Sequence, residues 1–162
     1  SEWLNVLEAS FIVFRLQPYY ANIGKRLTKT PKLYFTETGL AACLLGLKTE
    51  EQVSRDPLRG SLFENLVVSD ILKHNLNRDE EGELFFFRTN DGLEVDLLRR
   101  TQDGVQPIEI KSSTTWSKSL TDGLEKYRRL FPDATRPTLV YGGKNIPATA
   151  DAIAAVNFLD FT

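Results

Sequence analysis

At 162 residues, with 41% apolar and 26% charged side chains and a formal net charge of −2, the sequence has an ordinary globular composition. It is long enough for one domain, or one domain with a small appendage. The near-neutral balance argues against a surface coated with nucleic acid throughout, though not against a local basic patch, and no apolar run approaches the roughly 20 residues that span a bilayer.

A cytoplasmic setting without a membrane partner is therefore expected. The lack of any methionine makes the sequence read as a piece of something longer. Ser1 to Leu7 reads as the end of a helix, with Trp3, Leu4 and Leu7 on one side. Phe11 to Leu16 is rich in β-branched and aromatic residues and predicts a strand closed by Pro18. Tyr19 to Lys32 is loop-like and basic, carrying Lys25, Arg26, Lys29 and Lys32, and Leu33-Tyr34-Phe35 predicts a second short strand. Helix, strand, basic loop and strand resemble the wing of a winged-helix unit. A hairpin that simply docks on the main domain is the blander reading, preferred over contact with nucleic acid.

Thr36 can cap a helix from Glu37 to Leu45 that ends at Gly46. Cys43, the single cysteine, falls within it and reads as a buried structural thiol. The polar stretch Lys48 to Pro57 predicts a connection, which divides the chain into an appendage over 1–56 and a core domain over 57–162.

The longest predicted helix runs from Leu58 to Leu76. On it Glu64 projects inside the arc that carries Phe63, Val67, Val68 and Ile71. A carboxylate in an apolar face is costly unless something positive or hydrogen-bonding meets it, so an internal pair with an arginine and a metal or catalytic role stand as equal explanations. His74 has no partner at a zinc-ligand spacing. Three strands separated by tight turns follow, at Leu84–Arg88, Leu93–Arg99 and Val105–Lys111, and the apolar run over 84–87 suggests a strand covered on both faces. A helix is expected from Trp116 to Phe131, a strand over Thr138–Tyr141, an alanine-rich helix over Ala148–Val156 and an edge segment over Phe158–Phe161. Neither Gly24-Lys25 nor Gly143-Lys144 has the surroundings of a phosphate-binding loop. The order helix, three strands, helix, strand implies an α/β domain with helices flanking a mixed sheet.

The chemistry concentrates between Glu94 and Lys111. Asp103-Gly104 between two runs of alternating polarity is a hairpin signal. Alternation places Asp96 on one face with Glu94 and Leu98, and Glu109 with Lys111 on the adjoining strand. Two carboxylates beside an ammonium form a hard oxygen site suited to a divalent cation.

Glu64 on the first core helix, Asp96 in the second strand, and Glu109-Ile110-Lys111 in the third resemble the acidic motifs of the PD-(D/E)xK, restriction-endonuclease-like superfamily. Lys25-Arg26-Leu27, Pro31-Lys32-Leu33-Tyr34-Phe35, Thr38-Gly39-Leu40, Gly60-Ser61-Leu62-Phe63-Glu64-Asn65, Arg88, Glu94-Val95-Asp96 and Ile108-Glu109-Ile110-Lys111-Ser112 resemble, more closely, the C-terminal domain of a family of prokaryotic AAA-type ATPases. The resemblance covers nearly the whole chain. It implies a restriction-endonuclease-like core, an upstream ATPase module in the same longer chain, and a nuclease that hydrolyses nucleic-acid phosphodiesters with Mg2+ or Mn2+. Asp96, Glu109 and the Ile110 carbonyl are then expected to hold the metal, with Glu64 completing its surroundings. Lys111 is expected to orient or deprotonate the attacking water, Arg88 to hold a phosphate or pair with Glu64, and Glu94 to support the ligands from behind. One feature of related nucleases is missing: where they carry a glutamine four residues before a tyrosine on the following helix, Gly123 precedes Tyr127 here. Two other readings stay open. One is a catalytically inactive nuclease-like module for docking or homo-oligomerisation of the ATPase, and the other is a buried ion-pair network.

Overall fold

The computed structural model describes residues 2–20, 29–78, 82–148 and 153–161. Five α-helices and seven strands alternate along it: α1 Glu2–Ala9, β1 Val13–Pro18, β2 Lys32–Phe35, α2 Thr38–Leu44, α3 Glu50–Arg55, α4 Arg59–Arg78, β3 Glu83–Arg88, β4 Glu94–Thr101, β5 Gly104–Lys111, α5 Asp122–Leu130, β6 Thr138–Tyr141 and β7 Ala154–Asn157. Short 3-10 turns occupy Lys118–Thr121 and Phe158–Asp160. The fold is mixed α/β. Its sheet has seven strands in the order β2-β1-β3-β4-β5-β6-β7.

The predicted meander forms the centre, with β3 paired antiparallel to β4 and β4 antiparallel to β5. Gly104 sits at φ 125°, a conformation that glycine adopts without a Cβ penalty, and it closes the β4–β5 hairpin where Asp103-Gly104 predicts the turn. β6 and β7 add in parallel beyond β5, whereas β1 runs parallel to β3 and carries β2 on the outer edge. The N-terminal hairpin thus extends the same sheet.

Helices cover both faces, as the unbroken apolar run in β3 requires. On one side Val67, Val68 and Ile71 of α4 pack with Phe86, Leu97, Ile108 and Ile110. On the other, Leu124 and Tyr127 of α5 pack with Phe87, Val95 and Leu98. The buried Asn65 of α4 fastens β2: its side chain accepts from the Phe35 N–H at 2.8 Å and donates to the Phe35 carbonyl at 2.9 Å.

Several expectations are corrected. The 48–57 connection contains α3, whose start is a reciprocal cap between Thr49 and Gln52. Glu37, not Thr36, stands at the cap of α2, without a side-chain bond to it. The helix expected from Trp116 begins only at Asp122, after a 3-10 turn. The alanine-rich segment supplies a strand over Ala154–Asn157, because pairing along β6 overrides the local helix preference of its alanines. Cys43 is exposed. The basic loop residues at 21–28, Lys25 and Arg26 among them, lie outside the described residues.

Candidate metal centre

Residues Glu94 to Lys111 bring their acids together as the hairpin predicts, but with one irregularity. Phe85 faces Leu98 and Phe87 faces Val95, so Asp96 and Leu97 together stand opposite the single residue Phe86. Such a bulge turns side chains out of strict alternation. Val95 and Leu98 consequently both join the core beneath α5, and Leu98 does not share a face with Asp96 in the simple way that period two predicts.

Asp96 and Glu109 are each only 7% exposed. Asp96 Oδ2 accepts the Ile110 N–H at 2.8 Å and the Lys111 ammonium at 3.3 Å. The same ammonium lies 2.6 Å from Glu109 Oε1. Glu64 arrives from α4, where Oε1 accepts the Tyr34 hydroxyl at 2.5 Å and the Lys32 ammonium at 2.8 Å. Lys32 Nζ also stands 2.7 Å from Glu94 Oε1 and 4.0 Å from Asp96 Oδ1. Arg88 forks onto Glu94, Nε and Nη2 each donating at 2.8 Å. The partner of Glu64 is therefore a lysine and a tyrosine in place of the expected arginine, and Arg88 belongs to Glu94.

Burial and charge set the protonation of this cluster. Burial, followed by repulsion from Asp96, raises the Glu109 carboxyl to about 7. Burial and then Glu64 likewise raise Asp96 above the usual aspartate range. For Glu94 burial acts upward but is outweighed by hydrogen bonds and attraction from Lys32 and Arg88, which hold it low. Lys32 and Lys111 show the mirror effect: burial pulls each down, and neighbouring carboxylates outweigh it, so both stay firmly protonated.

One buried side-chain atom has no hydrogen-bond partner among the described residues, Glu109 Oε2. It lies beneath Gly123, where a Cβ would come within 3.2 Å of both this oxygen and the Glu94 carbonyl. A side chain at this position would therefore crowd both oxygens. Beside it opens a cleft of about 600 Å³, with Glu94 and Glu109 along one part and Lys126 and Arg129 of α5 along another.

All seven expected residues therefore fall in one region, but they do not form a ready-made metal cage. Among the described residues no three acidic, histidine or cysteine side chains are grouped so as to hold an ion. Glu64, Glu94 and Asp96 converge on Lys32 instead. The donor set still suits a hard divalent cation, since it consists of carboxylates and a backbone carbonyl, and the buried unpaired Glu109 Oε2 is the kind of oxygen a cation satisfies. Sequence reasoning missed Lys32 and Tyr34. Their signal was period-two spacing in a short strand, which points both side chains to one face.

The family described as a domain of unknown function, DUF4143, matches residues 59–161. The chain belongs to this family. A second domain of unknown function, DUF8612, matches residues 1–51, so the DUF4143 segment holds the four acids while Lys32 and Tyr34 come from the other. Uncharacterised proteins of Mycobacterium bovis and Mycobacterium tuberculosis are each 30% identical over 156 residues, which is 95% of this chain. The chain spans about a third of the length of these relatives (33%). No helix among the described residues is long and apolar enough to cross a membrane.

Proposed function

We propose that this DUF4143 chain is a metal-dependent nuclease domain with a restriction-endonuclease-like core, acting in the cytoplasm as part of a longer ATPase. The observation that carries the reading is the meeting of Asp96, Glu109 and Lys111 on two adjacent strands, beside a cleft edged by Lys126 and Arg129. The AAA-type ATPase rests on the sequence resemblance; the length of the mycobacterial relatives leaves room for such a module.

Asp96, Glu109 and the Ile110 carbonyl would hold Mg2+ or Mn2+, with Glu64 completing the shell. The bound ion would polarise a phosphoryl oxygen and neutralise the carboxylates that otherwise repel it. Lys111, paired with Asp96 and Glu109, would orient the attacking water and offset developing charge. Lys126 and Arg129 hold phosphates of the strand on either side of the bond cut. Incubation with DNA and RNA in Mg2+ or Mn2+ tests the reading: the wild type cleaves, and Asp96→Ala loses about a hundredfold or more, as loss of several kcal/mol of charge stabilisation requires. Equal background cleavage by both would overturn it.

A second reading is favoured by the closure of Glu64, Glu94 and Asp96 on Lys32. In it the module is inert and serves docking or homo-oligomerisation of the ATPase. Calorimetry without any divalent-ion binding supports that alternative.

A further inference from the structure

Lys32 lies far from the acids in sequence and arrives on an edge strand, yet its ammonium occupies the point where three carboxylates meet. Its side chain is 16% exposed, and its Nζ stands 5.5 Å from the centre of the Phe86 ring, against the residue that faces the bulge at Asp96. Exposed ion pairs contribute little, but removing a desolvated cation leaves the acids it served uncompensated. Without it Glu64 keeps the Tyr34 hydroxyl, Glu94 keeps Arg88 and Asp96 keeps Lys111. Three cations, Lys32, Lys111 and Arg88, then become two against the same four acids. Any mobile cation that can reach the site gains what the tethered one gives up. β2 is itself held in place by Asn65 and by the stacking of Tyr34 on Phe14 at 5.5 Å, which positions the ammonium.

We propose that Lys32 is a built-in cation that competes with a divalent ion for Asp96 and Glu64, the two acids it shares with the ligand set named above, so that the N-terminal hairpin sets the metal affinity of the centre. The inference deepens the nuclease reading and rests on it. Divalent-ion binding then requires the Lys32 ammonium to withdraw, and the segment matched by DUF8612 becomes an affinity-determining part of the DUF4143 site.

Calorimetric titration with Mn2+ alone, in the wild type, Lys32→Met and Lys32→Arg, tests this. Lys32→Met is expected to bind Mn2+ about tenfold tighter or more, the scale on which one neighbouring charge alters a carboxylate's affinity for a proton. Lys32→Arg, which keeps the charge, is expected to stay close to the wild type. Equal or weaker binding by Lys32→Met overturns the inference and leaves the metal reading standing, because both proteins then bind. Absence of binding by all three at millimolar Mn2+ overturns both. Thermal melts keep the proposal testable should Lys32→Met be unstable without metal. Mn2+ is expected to raise its melting temperature more than that of the wild type, and failure to do so overturns the inference.

Discussion

Glu109 is the residue on which the chemistry of the site is most exposed to measurement. Its carboxyl is raised from an ordinary 4.5 to about 7, chiefly by burial and secondly by Asp96. Below the lower value the group is protonated in the folded and unfolded chains alike. Between the two values the unfolded chain gives up its proton while the folded chain keeps it, so rising pH favours unfolding; above about 7 the penalty is constant. Glu109→Gln removes the penalty. The variant is expected to match the wild type in acid and to exceed it in stability by about 3 kcal/mol above neutrality, a difference read by urea denaturation across pH. A difference independent of pH would contradict this account. At this scale much is legible in the sequence, because acid residues with a following lysine in a strand announce themselves by type and spacing. Lys32 is legible only in part: period-two spacing with Tyr34 in a short strand puts the two on one face, but nothing local says that this face meets three acids.

Among the elements, α5 is the one whose close approach shapes the centre. Gly123 lets it settle over Glu109, and a Cβ there would press within 3.2 Å of both Glu109 Oε2 and the Glu94 carbonyl. In an exposed helix Gly→Ala gains up to about 1 kcal/mol from helix propensity. Crowding against strand backbone costs roughly 1–3 kcal/mol. Gly123→Ala is therefore expected to be destabilised by about 1 kcal/mol in chemical denaturation, and a gain in stability would show that α5 is free to move away. The elements themselves are legible where periodicity is strong: α4, the meander and β6 stand close to their predicted places. The misses have physical causes. Period two cannot reveal the bulge at Asp96 and Leu97, which exists only relative to β3. The strand at Ala154–Asn157 depends on a partner, β6, that local preference does not see. α3 is missed although its Thr49–Gln52 cap spacing is present in the sequence.

Over the whole molecule, charge placement matters more than the net value of −2. Lys32 reaches the acidic centre, and Lys126 and Arg129 line the cleft beside it. A nucleic-acid strand bound there, as proposed, would meet carboxylates on one side and these cations on the other. The double variant Lys126→Ala/Arg129→Ala is expected to bind nucleic acid more weakly and to flatten the salt dependence by about 0.9 for each duplex phosphate that the two side chains no longer neutralise, with fluorescence anisotropy at several salt concentrations as the readout. An unchanged slope would place the nucleic acid elsewhere. In the proposed reading the same arrangement makes the cation the deciding component, because acids closed on Lys32, Lys111 and Arg88 would have to exchange Lys32 for a divalent ion. The most direct test is a crystal structure of the protein soaked in Mn2+, read by anomalous scattering. The account predicts a peak between Asp96, Glu109 and the Ile110 carbonyl, with the Lys32 ammonium withdrawn from Asp96. A centre without a peak, in which Lys32 still bridges Glu64 and Glu94, would contradict it.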